Sequence, residues 1–125
     1  MKIATKWEVK VNGKERSIQL YDKEGKKIDG DNARWDGDFC CSNNQLTSLE
    51  GAPQEVGGIF DCSSNKLTNL EGAPKEVGGD FYCGCNQLTS LEGAPKEVGG
   101  GFYCEHNQLT KGQFGNEKFK AFFKK

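Results

Sequence analysis

The 125-residue chain carries 17 Lys/Arg and 18 Asp/Glu, and it combines a hydrophobic content of only 34% with 17 glycines. Its length corresponds to one domain. No apolar run approaches the roughly 20 residues that a membrane-spanning helix needs. The stretch MKIATKWEVK at the start also lacks the apolar region of a signal peptide, so the sequence predicts a cytoplasmic protein without membrane contact.

The charges are distributed unevenly. Residues 1–35 contain nine Lys/Arg and six Asp/Glu, residues 36–110 contain three Lys and eleven Asp/Glu, and residues 111–125 contain five Lys and one Glu. An acidic middle therefore lies between basic ends, which bears on partners more than on fold. Because such a middle repels phosphate, direct binding of nucleic acid is not expected.

Residues 1–27 are predicted to form an N-terminal β cap. WEVKV and RSIQLY alternate apolar and polar residues, and Asn12-Gly13 between them is a strong hairpin signal. A second turn leads to KKI, which gives a three-stranded antiparallel meander. Such a cap would cover the open end of the repeats that follow. The residues expected on its apolar face are Trp7, Val9, Val11, Ile18 and Leu20.

Residues 28–110 repeat with a period of 21, and a fixed period in this range is the signature of a solenoid. The first unit is degenerate, as terminal repeats often are, and the pattern fails at Gly112, where the next Leu belongs. The repeated positions are Phe39, Phe60, Phe81 and Phe102; Cys41, Cys62, Cys83 and Cys104; Asn44, Asn65, Asn86 and Asn107; and Leu46, Leu67, Leu88 and Leu109.

The repeated motif F-x-C-x-x-N-x-L has the form of the leucine-rich repeat core, L-x-L-x-x-N-x-L. It predicts a parallel β-sheet on the concave face, with Phe and Cys pointing inward. The Asn side chains would satisfy backbone groups of adjacent coils. The rest of the unit, EGAPKEVGG, contains Gly and Pro without helical periodicity, so an extended, polyproline-like convex side is expected.

The segment NQLTSLEGAP resembles the short leucine-rich repeats of secreted bacterial effectors of the IpaH and YopM kind. Glu in place of the first Pro of their motif, and one extra residue before the strand, depart from it. The longer EGAPKEVGGDFYC is similar to repeat proteins encoded by bacteriophages and bacteria. This resemblance implies the fold over about two thirds of the chain, and no enzymatic activity, since the effectors' ubiquitin-ligase domain is absent. The second Pro of the effectors' motif is matched by Pro53, Pro74 and Pro95. The apolar residue three places after it is matched by Val56, Val77 and Val98.

Residues 111–125 are predicted to form a short C-terminal helical cap. Asn116 can cap a helix on which Phe119, Phe122 and Phe123 share one face. That face would pack on the last repeat, although a basic aromatic helix could also dock on a membrane or partner.

The residues between and just after Phe and Cys would line the concave face, and they differ most from unit to unit. Tyr82 and Tyr103 would lie side by side there as an interface anchor, or they could stack for stability alone. The acidic residues of the face predict a basic partner, although drift at exposed positions is the alternative. The candidate partner-binding residues are Asp38, Ile59, Asp61, Asp80, Tyr82, Tyr103, Glu105 and His106.

Four of the six Cys occupy one repeat position, which favours buried thiols over disulfides. Cys83-x-Cys85 and Cys104-x-His106 could in principle bind zinc, and Cys85 with His106 could form a catalytic pair. A core role already accounts for Cys83 and Cys104, and a flat solenoid face offers no oxyanion site. No metal, cofactor or catalytic residue is therefore predicted.

The sequence thus predicts a non-enzymatic protein-binding module. The similarity of the repeat sequence to phage-encoded proteins suggests a small phage- or bacteria-encoded inhibitor or modulator of a host protein such as a defence factor. An acidic decoy of nucleic acid that blocks a DNA- or RNA-binding enzyme is one alternative, and a structural repeat protein without a discrete ligand site is another. The partner's identity and the oligomeric state are left open.

Overall fold

The computed structural model describes residues 1–109, a β-solenoid preceded by an antiparallel meander. The predicted helical cap at residues 111–125 lies outside the described residues. Within residues 1–109, no helix is both long and apolar enough to cross a membrane. The strands, in chain order, are β1 (Lys2–Ile3), β2 (Lys6–Asn12), β3 (Glu15–Tyr21), β4 (Lys27–Ile28), β5 (Ala33–Trp35), β6 (Phe39–Cys40), β7 (Glu55–Val56), β8 (Phe60–Asp61), β9 (Glu76–Val77), β10 (Phe81–Tyr82), β11 (Glu97–Val98) and β12 (Phe102–Tyr103), with a 3₁₀ turn at Gly30–Asn32 before β5.

The coils build two parallel sheets, and a full coil contributes one short strand to each. The Glu–Val sheet has the order β1-β5-β7-β9-β11, and the Phe–Tyr sheet has the order β6-β8-β10-β12. Phe81 pairs in register with Phe60 and Phe102, its equivalents in the neighbouring coils. The solenoid makes about three turns of about 21 residues. The predicted solenoid of parallel strands is therefore confirmed.

The side opposite the Phe–Tyr sheet differs from the prediction. The segment is extended, as expected, but the predicted polyproline-like side is a second parallel sheet, in which Glu55–Val56 pairs with Glu76–Val77. Val56 and Val77 point into the core, and the Glu side chains lie on the outer surface. After the strands of the Glu–Val sheet, the backbones of neighbouring coils also lie very close together. A Cβ on Gly78 would lie 2.2 Å from the carbonyl oxygen of Gly57, so only glycine fits there.

The core consists of columns of identical side chains, one from each coil. Neighbouring Phe rings lie with centroids 5.1 to 5.5 Å apart. The Cys column beside them is buried as well, and so are two sets of Leu side chains: Leu46, Leu67 and Leu88, and Leu49, Leu70 and Leu91. Burial of each Phe or Leu stabilises the fold by roughly 1.5–3 kcal/mol. A shift by one coil along the solenoid places each core side chain next to an identical one. This match between neighbouring coils explains why the 21-residue period is so strict.

The repeated Asn lies inside the turn that follows each strand of the Phe–Tyr sheet, and it is buried at Asn65 and Asn86. The amide nitrogen of Asn65 donates to the carbonyl oxygens of Cys62 at 2.9 Å and of Cys41, one coil earlier, at 3.2 Å. Every buried side-chain nitrogen and oxygen of residues 1–109 has a hydrogen-bond partner. The predicted Asn ladder is therefore confirmed.

The N-terminal meander is confirmed, with β2 paired to β3 and β3 paired to β4. The Trp7 ring packs on Phe39 with centroids 5.2 Å apart, so it covers the first end of the Phe column. Val11 was expected on the same apolar face, yet it is 59% exposed. It lies opposite Arg16 near the hairpin turn, past the last residue of β2 that contacts the core, Val9.

The meander is joined to the first coil by backbone hydrogen bonds as well as by apolar contacts. The Ile18 amide donates to the carbonyl oxygen of Glu50 at 3.0 Å, and the Thr47 amide donates to that of Arg16 at 2.9 Å. Strand β1, which the sequence did not predict, pairs in parallel with β5 and extends the Glu–Val sheet by one strand. The cap therefore extends the Glu–Val sheet of the first coil and also binds its segment from Thr47 to Glu50.

Candidate interaction face

The outward side chains of the Phe–Tyr sheet, with the turn that follows each of its strands, form a continuous surface that we call the Tyr face. It comprises residues 38–43, 59–64, 80–85 and 101–106. The alternation of the strands places Phe inward and the next residue outward. The outward residues pair in register across the four strands, and they are Cys40, Asp61, Tyr82 and Tyr103.

The two tyrosines are stacked. Their ring centroids are 5.0 Å apart and their planes differ by 14°. Tyr103 is 40% exposed and Tyr82 is half-buried. The Tyr103 ring folds across Gly101, where a Cβ would lie 2.5 Å from the ring. The predicted juxtaposition is therefore present, and Gly101 is the residue that makes room for it.

Tyr82 is held in place from its own strand. Its hydroxyl donates to Oδ2 of Asp80 at 3.0 Å. This hydrogen bond is the main cause that raises the pKa of Tyr82, since ionisation would place two negative charges together. The Tyr82 ring thus has a fixed orientation and a neutral hydroxyl at physiological pH.

Two of the predicted acidic residues accept hydrogen bonds from the backbone of the next coil. Oδ1 of Asp38 accepts a hydrogen bond from the Ile59 amide at 2.7 Å, and Oδ1 of Asp80 accepts one from the Gly101 amide at 2.7 Å. Each bond joins one coil to the next. Ile59 takes the equivalent position in the coil between them and is half-buried. These carboxylates therefore stabilise the stacking of coils in addition to lending charge to the face.

The other two acidic residues form no hydrogen bond to the backbone of the next coil within residues 1–109. Oδ1 of Asp61 accepts from the backbone amide of Ser63 at 2.9 Å and from its hydroxyl, a local turn that orients the carboxylate. Glu105 is exposed, and its carboxylate lies beside Gly84, where a Cβ would come within 3.2 Å of Oε1. Among residues 1–109, Glu105 forms no salt bridge.

His106 lies in a column whose backbone conformation was not predicted from the sequence. Asn43, Ser64, Cys85 and His106 all have a φ between 54° and 58°, the left-handed region. This region is uncommon for residues other than glycine, with Asn and His among the exceptions. The Asn in the first unit was the available signal. The conformation turns the chain so that the following Asn enters the core.

The eight predicted residues therefore lie on one surface, spread over the four coils of the Phe–Tyr sheet. Asp38, Ile59 and Asp80 precede their strands, Asp61 and the two tyrosines lie on them, and Glu105 and His106 lie in the turn that follows β12. Such an arrangement can contact a broad surface. It differs from the concave clefts that enclose small molecules.

All six cysteines are free thiols. Cys41, Cys62, Cys83 and Cys104 are buried in one column, whereas Cys40 and Cys85 are exposed. Burial is the main cause that raises the pKa of Cys62 well above its ordinary value, and the hydrogen bond with Cys104, together with burial, does so at Cys83.

The four residues considered as zinc ligands are divided between core and surface. Cys83 and Cys104 point into the core, while Cys85 and His106 are exposed in the turn. Among residues 1–109, no group of three or more His, Cys, Asp or Glu side chains is placed to hold a metal ion. Cys85 and His106 occupy the same turn position of adjacent coils.

The outer side of the Glu–Val sheet carries charged residues that were not predicted to share a surface. Glu55, Glu76 and Glu97 pair in register along a shallow groove of about 410 Å³ that also contains Arg34. Arg34 forms salt bridges of 2.8 Å with Glu55 and with Asp36. These partly exposed pairs contribute little stability. This side therefore mixes both signs of charge, unlike the Tyr face.

No protein-family description, curated protein or solved structure matched this chain. The class that the geometry defines is a β-solenoid with about 21-residue turns, two parallel sheets and an N-terminal antiparallel meander.

Proposed function

We propose that the protein is a non-enzymatic binding module that contacts a partner protein through the Tyr face. The observation that carries this proposal is the Tyr82–Tyr103 stack, partly exposed on the last two described strands of that face. Tyrosine supplies a large apolar contact area with a hydroxyl at its rim, and it loses little conformational entropy when it is covered. A pair already held in place by Asp80 and Gly101 loses less still.

The charge of the face indicates the kind of partner. The four segments of the Tyr face contain Asp38, Asp61, Asp80 and Glu105, and they contain no Lys or Arg. A partner with a basic surface would be attracted to this face, and its encounter with the protein would be faster at low salt.

The amino-acid sequence of the repeat supports a more specific proposal about the kind of binding module. Its resemblance to short leucine-rich repeats of bacterial and phage proteins favours a small phage- or bacteria-encoded inhibitor or modulator of a host protein, for example a defence factor. The nucleic-acid decoy is less well supported by the geometry. The positions of Asp38 and Asp80 follow from backbone hydrogen bonds between coils, which accounts for them without phosphate mimicry.

The experiment compares partners captured from a bacterial lysate by three immobilised proteins. These are the wild type, the double variant Tyr82→Ala/Tyr103→Ala, and a control, Glu76→Ala/Glu97→Ala, altered on the other sheet. We expect the control to retain the wild-type partner and the tyrosine variant to lose it. Circular dichroism establishes that all three proteins are folded. Retention of every partner by a folded tyrosine variant would reject the proposal.

A further inference from the structure

The orientation of the Tyr82 ring determines what its second side can contact. Because its centroid lies 5.0 Å from that of Tyr103, one coil away, and the planes differ by only 14°, the ring planes lie across the solenoid axis. One side of Tyr82 is covered by Tyr103. Its other side points to the preceding coil, where the residue in register with Tyr82 is Asp61.

Asp61 is much shorter than a tyrosine, so the row of outward side chains has a step at this point. The Tyr82 ring extends towards Asp80, so Ile59, in register with Asp80, borders the same step. Both hydrogen bonds that position the Asp61 carboxylate fall on Oδ1, from the amide and the hydroxyl of Ser63. Among residues 1–109, Oδ2 of Asp61 accepts no hydrogen bond. The step thus presents the side of an aromatic ring next to a free carboxylate oxygen.

We propose that an arginine side chain of the partner occupies this step. Its guanidinium stacks on the side of Tyr82 that points to Asp61, continuing the tyrosine stack, and donates a hydrogen bond to Oδ2 of Asp61. This inference rests on the proposed function and specifies the partner's chemistry at one position.

Arginine suits the step better than lysine for a physical reason. The guanidinium is planar, so it stacks flat on a ring while its edge donates hydrogen bonds to a carboxylate. An ammonium group is a compact, strongly hydrated charge, and it cannot present a flat side to Tyr82. General attraction to the acidic face would instead treat the two cations alike.

Capped hexa-arginine and hexa-lysine, which carry equal charge, test the proposal by calorimetric titration of the full chain. We expect hexa-arginine to bind about five- to tenfold more tightly, as one cation–π contact and its ion pair would give. Tyr82→Leu should reduce this ratio to about one, while Tyr82→Phe, which keeps the ring, should preserve it. Asp61→Asn should weaken the binding of hexa-arginine more than Glu76→Gln, which removes the same charge from the other sheet.

Equal affinity for the two peptides in the wild type would overturn the inference, as would an unchanged ratio in a folded Tyr82→Leu variant. Either result would mean attraction by charge alone. The captured partner separates this outcome from failure of the proposed function. If the double tyrosine variant loses the partner but the wild type binds the two peptides equally, the binding module stands and the arginine step is wrong. If that variant retains the partner, the proposed function itself fails.

Discussion

Oδ1 of Asn65 accepts a hydrogen bond of 2.9 Å from the backbone amide of Leu46, which lies 19 residues earlier in the preceding coil. The same oxygen accepts from the Asn44 amide at 3.0 Å. Asn65→Ala would leave these amides, and the carbonyls to which Asn65 donates, without partners inside the solenoid. We expect the free energy of unfolding to fall by about 3–5 kcal/mol, since each unpaired buried group costs about 1–3 kcal/mol. Urea denaturation would measure this loss.

The matched control is Asn69→Ala. The Asn69 side chain is exposed and accepts one hydrogen bond, from the Glu71 amide two residues later. We expect this variant to lose at most about 1 kcal/mol. Equal losses in the two variants would show that the ladder contributes no more than an ordinary surface turn.

The left-handed turn column predicts opposite effects of two substitutions at Cys85, whose φ is 54°. Cys85→Val should lower the free energy of unfolding by about 1–2 kcal/mol, because a β-branched side chain is strained in this conformation. Cys85→Asn should be neutral or slightly stabilising, since Asn tolerates the conformation and Asn43 already occupies it in an earlier coil. Thermal denaturation of the two variants in parallel would check this, and a more stable Val variant would contradict it.

The repeat register was enough to predict the columns of the fold. Phe60 and Cys62 are buried and Asn65 lies inside the turn because every unit places the same residue in the same environment. The second sheet could not be predicted. The strand Glu55–Val56 is only two residues long, which is too short to show an alternation of apolar and polar residues. Its pairing also depends on the close approach of neighbouring coils at their glycines.

The candidate face was predictable in position but only partly in chemistry. That Tyr82 and Tyr103 are neighbours follows directly from the period. That Asp38 and Asp80 hold the next coil does not, because their bonds to the Ile59 and Gly101 amides depend on how closely two coils approach. Spacing along the chain does not distinguish a surface charge from one that accepts a backbone hydrogen bond.

The division of the cysteines predicts their reactivity. Cys40 and Cys85 should react with a thiol reagent in the native protein, and the other four should react only on unfolding, because they are buried in the core column. We therefore expect two labelled thiols in the native state and all six in denaturant. Labelling at neutral pH followed by mass spectrometry would count and locate them. Native labelling of Cys62, which is fully buried, would contradict the described core.

Although Cys40 is exposed, partial desolvation of its thiol raises its pKa, with Asp61 as the next cause. Asp61→Asn should therefore lower that pKa and speed the labelling of Cys40, while Cys85 in the same sample serves as the internal reference. If the ratio of the two labelling rates is unchanged, the charge of Asp61 does not affect the pKa of the Cys40 thiol.

The pair of Tyr82 and Asp80 predicts a pH dependence at the alkaline end. The hydrogen bond to Asp80 raises the pKa of Tyr82 above the ordinary 10.0, so the protonated hydroxyl is favoured in the folded state. Its contribution to stability is fully present below pH 10 and is lost as the pH rises through the raised folded value. Asp80→Asn keeps an acceptor for the Gly101 amide but removes the negative charge, so it should lower the pKa of Tyr82. Titration of the Tyr82 ring signals by NMR in both proteins would measure the shift, and a pKa equal to or higher than that of the wild type would rule out Asp80 as its cause.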